Sequence, residues 1–413
     1  MKKGLVLVFL MVFVAWGKVL AAETWQEAFQ KGKASGEIKF WYQTNDRDPN
    51  DLFEKENTIF DAGLRISYET DTWRGFQAKA SFYAVDDLWA YDRFADLSIH
   101  RSNPHETMTW LGEAYVLYTW RNTQIKVGRQ NFKNPLVNSD AWAVFPNNFQ
   151  GYLVKNTDLP KTTLLAGWFT DERRLKKEDF SDFLGDDGVY FFGLATKAFS
   201  PATISAYYYR ADLDGETYSW QGKPYRGYVD AAYLEAKGQI NRFSLAVQYF
   251  FYNPDKGGYD TTKAFGVKVG AKVIDKVSIS LAFTTISDGY FNAAKLSDNG
   301  IKTPLYTATI SGDGDISGRP NTDSFKVSVA FKPLKDLSAT LSYGNYNCAN
   351  KWNTAVSDDN VATSTELVFK YTGLKNFTFF LALINSDHHG VGAWRGAGDD
   401  DLNSIRAWVR FTF

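Results

Sequence analysis

The chain has 413 residues, a single cysteine, 16% aromatic residues and a formal net charge of −1. That charge balance argues against a nucleic-acid partner, whose binding needs a clustered basic face that would push the balance positive, and one cysteine excludes an internal disulfide. The mean hydropathy of −0.33 is that of a water-soluble chain, and beyond the N-terminal run no apolar stretch is long enough for a membrane-spanning helix, so any insertion into a bilayer has to use strands.

The first residues, MKKGLVLVFLMVFVAWGKVLAAETW, place Lys2 and Lys3 before an apolar run from Leu5 to Trp16 and end on the small Ala21 and Ala22. This is the pattern of a secretory signal peptide over residues 1–22, leaving one domain over 23–413, since no linker or shift in composition divides the remainder. Thr24 to Lys33 has Trp25, Ala28 and Phe29 at helical spacing and reads as a short lead-in, too short to plug a channel.

From there, alternating segments of about ten residues are expected as strands. They lie near 36–44, 60–70, 75–85, 110–120, 123–130, 148–155, 162–170, 188–197, 202–210, 227–237, 242–252, 262–273, 276–286, 322–332, 336–346, 362–372, 376–386 and 402–413. Tight turns rich in Gly, Pro, Asn, Asp or Ser join them in pairs, and nine long polar loops separate the pairs, among them 131–147 and 287–321. The stretch Leu305 to Ile310 in the longest loop carries a weaker strand signal of its own.

The last segment, SIRAWVRFTF, puts Ile405, Ala407, Val409, Phe411 and Phe413 on one face and Arg406, Trp408, Arg410 and Thr412 on the other. With lipid outside and water inside, an even number of such strands closes into a barrel, and the last strand must pair with the first to leave no open edge in hydrocarbon. The fold class expected is therefore all-β, a transmembrane antiparallel barrel of about eighteen strands with short periplasmic turns and long extracellular loops, located in the outer membrane.

Parity along the strands turns Lys39, Arg65, Lys79, Lys126, Lys268, Lys272, Lys326, Lys370, Arg406 and Arg410 inward, against the acids Glu37, Glu69, Asp230 and Glu366. Arg129 shares parity with Ile125 and Val127, yet stands where its strand leaves the membrane, and is counted with the basic wall as a residue able to bend inward. A column of spaced cations favours passing anions or carboxylates without trapping them. An eighteen-strand barrel is wide enough for an aqueous channel. The candidate constriction is loop 131–147, with Asp140, Trp142 and Pro146.

The segments AFQKGKASGEIKFWYQ, LGEAYVLYTWRNTQIKVGRQ and NPLVNSDAWAVFPNNFQGYLV together resemble the OprD-type outer-membrane porins of Gram-negative bacteria. The resemblance implies an eighteen-stranded barrel with an inward third loop and a basic ladder, passing small, usually carboxylate-bearing solutes. It matches Asp140 and Pro146 to the loop Asp and Pro, and Lys39, Arg406 and Arg410 to ladder positions. Where relatives often carry an arginine after the loop aspartate, this chain has Trp142 and Ala143.

The function expected is passive diffusion of small hydrophilic solutes through a water-filled pore, with outer-membrane lipid and the solutes as partners and no cofactor. Monomer and homotrimer both fit. The alternative is a non-conducting barrel that anchors the envelope or binds carbohydrate. An enzyme is disfavoured because His100, His105, His388 and His389 all fall in expected loops. The acidic runs DERRLKKEDFSDFLGDDG and SGDGDISGRPNTD lack EF-hand spacing and read as solvated loops, so no metal site is expected.

Overall fold

The two-residue period of the sequence is realised as strand from Lys33 almost to the C-terminus. A computed structural model describes residues 22–46, 51–89, 107–139, 144–174, 178–213, 225–292, 296, 303–310, 316–348, 361–389 and 400–413. After helix α1 (Trp25–Gln30) come β1 (Lys33–Asn45), β2 (Thr58–Glu69), β3 (Phe76–Trp89), β4 (Met108–Trp120), β5 (Thr123–Gln130), β6 (Asn148–Asn156), β7 (Thr162–Arg173), β8 (Ser181–Asp182), β9 (Val189–Thr196) and β10 (Ala202–Asp212). There follow β11 (Tyr228–Ile240), β12 (Phe243–Pro254), β13 (Thr262–Ile274), β14 (Val277–Ile286), β15 (Thr322–Leu334), β16 (Leu337–Cys348), β17 (Val361–Tyr371), β18 (Phe377–His389) and β19 (Asp400–Thr412).

The two-residue β8 pairs with the loop end of β7. The other eighteen strands form one closed antiparallel wall in which sequence neighbours are spatial neighbours, β7 pairs with β9, and β19 pairs with β1. The expected barrel, its strand count and its closure are thus borne out. Several strands overrun their expected ends at the loop rim, because ladder hydrogen bonds continue into water where the apolar pattern has already stopped. Leu305 to Ile310 forms turn and irregular backbone instead of a strand. Among the described residues no helix is long and apolar enough to cross a membrane.

One face of the wall is a belt of exposed apolar side chains, including Phe82, Leu111, Val127, Phe192, Leu245, Leu281, Phe325 and Leu383. This is the face that lipid covers. The other face looks into the barrel and is only partly aqueous. Beside β6 to β14, toward the loop end, its rings pack with loop residues into a buried cluster that includes Phe132, Leu136, Phe149, Phe169, Phe191, Tyr209, Tyr233, Phe250, Tyr290 and Leu305.

Closure is locked at the turn end. Phe413 and Gly36 exchange backbone hydrogen bonds of 3.0 and 2.8 Å. The Phe413 ring lies over Gly36, where an added Cβ would stand 2.1 Å from the ring Cζ. Gly36→Val displaces that ring from the seam and should cost about 1–3 kcal/mol. Loss of compact, heat-resistant mobility of unboiled protein on a gel should therefore occur at lower temperature than in wild type, and an unchanged transition would contradict this account.

Candidate pore constriction and lumen wall

The seam between the last and first strands concentrates positive charge through register alone. Arg410 lies opposite Lys39, Trp408 opposite Trp41, and Arg406 opposite Gln43, all on the inner face. Successive inward residues on a strand are about 7 Å apart, so Arg406 and Arg410 are two such steps apart with Trp408 between them. The Lys39 ammonium sits 4.7 Å from the ring of Trp41 and 5.1 Å from that of Trp408. Trp408 also stacks on Phe380 at 5.1 Å. Aromatic faces attract cations, which here holds like charges side by side. Arg410 donates to the Thr378 hydroxyl at 3.5 Å.

Farther round the wall the cations are paired. Arg65 meets Glu37 at 2.9 Å, Lys79 meets Glu113 at 3.1 Å, and Lys237 meets Glu235 at 2.6 Å. Lys126 lies over the Tyr115 ring at 4.5 Å, and Lys155, two steps along the neighbouring strand register, adds a cation that sequence reading missed. Lys268, Lys326 and Lys370 take inward positions on their strands, and Lys326 donates to the Ala308 carbonyl. Lys272 is inward only at the turn rim, bridged to Asp275 at 3.0 Å and half exposed. Glu69 pairs across the strands with Lys79, and Glu366 accepts from Ser364 at 3.3 Å.

Two expected positions are corrected. Arg129 shares its face with the exposed Ile125 and Val127, donates to Gln150 at 3.2 Å and lies over Phe180 at 4.2 Å, so it does not join the lining of the pore. The pairing of β5 runs through Arg129 without a register shift, which keeps its side chain on the outward face. Asp230 also faces outward, bound by Tyr208 at 2.5 Å and Arg210 at 3.1 Å. On β11 the inner residues Val229, Ala231 and Tyr233 are apolar because the loop core covers them, so hydrophobicity no longer reports which face is lipid.

The described parts of loop 131–147 run inside the wall. Phe132, Leu136 and Val137 belong to the interior apolar cluster, while Val144 and Phe145 pack near Tyr83 and Trp110. Phe145 meets those two rings edge-on at 5.2 and 6.3 Å. The Val144 carbonyl accepts from Lys39 at 3.0 Å, so one ladder residue also holds the loop. Pro146 presents its carbonyl to the buried Arg173, whose guanidinium lies 3.7 Å from the Trp110 ring. Asp140 and Trp142 lie outside the described residues. Gly63 makes the seat: a Cβ there would stand 2.4 Å from Val144 Cγ1 and 2.6 Å from Phe145 Cε2.

A second loop segment also enters the lumen, and sequence reading missed it. Residues 303–310 lie against the inner faces of β11, β12, β14, β15 and β16. The Tyr306 hydroxyl donates to Glu235 at 2.9 Å, Thr307 to Thr284 at 3.1 Å, and Thr309 shares a 2.8 Å bond with the Tyr346 hydroxyl. With the Gln248 amide suitably oriented, it bonds the Pro304 carbonyl and the Tyr306 amide at 2.9 and 3.2 Å. The Leu296 amide donates to the Leu136 carbonyl at 3.2 Å, tying the two inward loops together. The signal available in sequence was the inward Gln248, Thr284 and Tyr346, large or polar groups needing partners that a bare lumen would not supply.

At the seam, Lys39 and Trp41 are buried beneath Val144 and Phe145, while Arg406, Trp408 and Arg410 are partly exposed on the inner face. Among the described residues no group of three His, Cys, Asp or Glu side chains is placed to hold a metal.

Residues 113–284, from β4 into β14, match the model of the OprD family of outer-membrane porins. The fold is that of solved porin structures. The chain aligns with Pseudomonas aeruginosa OccK3 (OpdO) at a TM-score of 0.69 and 15% identity, covering 94% of this chain and 97% of that one. Acinetobacter baumannii OccAB4 gives 0.71 and 16%, covering 93% and 98%. Pseudomonas aeruginosa OccK8 (OprE) gives 0.71 and 16%, covering 94% and 99%. No curated protein matches the chain by sequence. The resemblance read from the first half of the chain is therefore borne out.

If Gly63 is the seat of the constriction loop, Gly63→Leu should push Val144 and Phe145 off the wall and raise single-channel conductance. Phe145→Ala, which empties the cleft beside Tyr83 and Trp110, should act in the same direction and cost roughly 3–4 kcal/mol of packing. Conductance unchanged in both variants would show that these residues do not narrow the path.

Proposed function

We propose, from the premise that the chain is an outer-membrane β-barrel of the OprD porin type, that it conducts small anionic solutes, carboxylates above all, along the seam of its first and last strands. The observation that carries this reading is the row Lys39, Trp41, Arg406, Trp408 and Arg410, in which cations and rings alternate on one strip of inner wall. A carboxylate passing the strip exchanges part of its hydration for guanidinium and ammonium donors, for which charge-assisted bonds are the strong ones. Because the cations are spaced, and Lys39 and Arg410 are already engaged by rings, a carbonyl and a hydroxyl, none binds so tightly that release becomes slow.

The paired cations elsewhere on the wall contribute less. Arg65 and Lys79 have carboxylate partners within 3.1 Å, so their fields largely cancel at the distance of a solute. Val144 and Phe145 sit on the wall at Lys39 itself, so the partly exposed Arg406 and Arg410 are the seam cations that a solute meets most directly.

The reading is tested by reversal potential in a salt gradient across a planar bilayer. Wild type should show discrete ohmic steps with anion preference, and Arg406→Glu with Arg410→Glu should move the reversal potential toward cation preference. Arg65→Gln should move it much less. Open steps without preference in wild type would sink the anion path and leave an unselective pore. A folded barrel without conductance would point to the anchoring or carbohydrate-binding alternative.

A further inference from the structure

Two hairpin turns at the turn end of the wall repeat one sequence: Thr72-Trp73-Arg74-Gly75 and Thr119-Trp120-Arg121-Asn122. The repeat is also structural. Arg74 and Arg121 both adopt a φ of 51°, and each guanidinium lies over the tryptophan before it, at 5.4 and 5.1 Å. The turns are neighbours, since the Thr119 amide donates to the Gly75 carbonyl at 2.8 Å. Both arginines are exposed, and Trp120 is 44% exposed.

Helix α1 extends the same surface. Its N-cap is Thr24, whose hydroxyl accepts from the Glu27 amide at 3.1 Å. Ala28 is buried against the wall, and its carbonyl accepts from the Asp71 amide at 2.9 Å. Trp25 and Phe29, one helical turn apart, stay 36% and 45% exposed. Trp25 meets Trp73 edge-on at 5.6 Å, and Phe29 stacks at 6.3 Å on Tyr68, an outward residue of β2. The helix thus lies on the outside of the barrel, continuous with the lipid-facing belt and clear of the lumen. Of the acids there, Glu27 is bridged to Lys31 at 2.5 Å, Asp71 accepts from the Thr72 amide at 2.8 Å, Asp158 accepts from Asn122 at 3.0 Å beside Arg121, and Glu23 stands at the start of the helix.

We propose that α1 and the paired Trp-Arg turns form a docking surface for anionic phospholipid of the membrane leaflet at the turn end. The apolar belt already commits the wall above this surface to lipid. Trp25, Phe29, Trp73 and Trp120 then lie at the depth where rings with an apolar body and a polar edge are favoured, and α1 lies in the interfacial plane. The two guanidiniums, held in orientation by their tryptophans, reach lipid phosphate. Juxtamembrane basic groups are drawn to anionic lipid in this way.

The test compares folding into phosphatidylcholine vesicles with and without phosphatidylglycerol, followed by the gel mobility of unheated samples. For wild type, phosphatidylglycerol should raise the temperature at which the compact form is lost. Arg74→Gln with Arg121→Gln should abolish most of that increment while leaving single-channel conductance unchanged, and Arg74→Lys with Arg121→Lys should keep a good part of it. The control pair Lys335→Gln with Lys375→Gln, on other turns of the same rim, should leave the increment intact. An equal increment in the glutamine variant and wild type would overturn the proposal, as would an equal loss in the control pair, which would assign the effect to general rim charge.

Discussion

A strand in hydrocarbon has no water to satisfy its amides and carbonyls, and everything else in this molecule follows from that. Eighteen strands can avoid an unpaired edge only by returning the last to the first, and the register of that return is set side chain by side chain, from Glu37 opposite Thr412 to Asn45 opposite Ser404. Once this register is fixed, the inward residues of the two strands alternate across the seam without further choice. Lys39, Trp41, Arg406, Trp408 and Arg410 share a strip of wall because closing the sheet leaves them nowhere else to go.

Closure also creates the opposite difficulty, a wide interior whose walls need partners. The chain solves it on one side with its own loops. Rings from β6 to β12 meet Phe132, Leu136, Phe183, Tyr225, Tyr290, Leu296 and Leu305 in a dry core, while Gln248, Thr284 and Tyr346 find hydrogen bonds on segment 303–310. The narrow part of the lumen is therefore made by burial of apolar surface and by satisfied polar groups, the same terms that build the core of a soluble protein. The glycine at position 63 is the complement of that packing on the wall, a place where the absent side chain is filled by Val144 and Phe145.

Much of this was legible in the sequence where lipid lies on one face and water on the other. β13, β14 and β19 alternate cleanly, and their faces follow from parity. Legibility fails where both faces are dry. On β11 the loop core makes Val229, Ala231 and Tyr233 apolar, so Asp230 passed for a lumen residue although it binds Tyr208 and Arg210 outside. The expected inward bend of Arg129 fails for a related reason, since outside the apolar belt an outward arginine is at no cost and finds Gln150 and Phe180. The second inward loop showed in the sequence only as a weak strand signal over Leu305 to Ile310, because irregular backbone inside a barrel is positioned by partners on separate strands, from Glu235 to Tyr346, and alternation does not record them.

The interior is thus divided into two sectors with different obligations. One sector, opposite the seam, is interlocked with loops, so a change there disturbs the packing of several segments together. The seam sector owes its form to backbone register, and apart from Lys39, Trp41 and Trp408, which pack with or hold the segment of Val144 and Phe145, the side chains displayed on it carry little of the packing. Substitutions at such positions are free to accumulate one at a time while leaving the architecture in place. A lineage of these barrels can diverge in the molecules it admits while its members still superimpose, at a level of residue identity where little else of the sequence is shared.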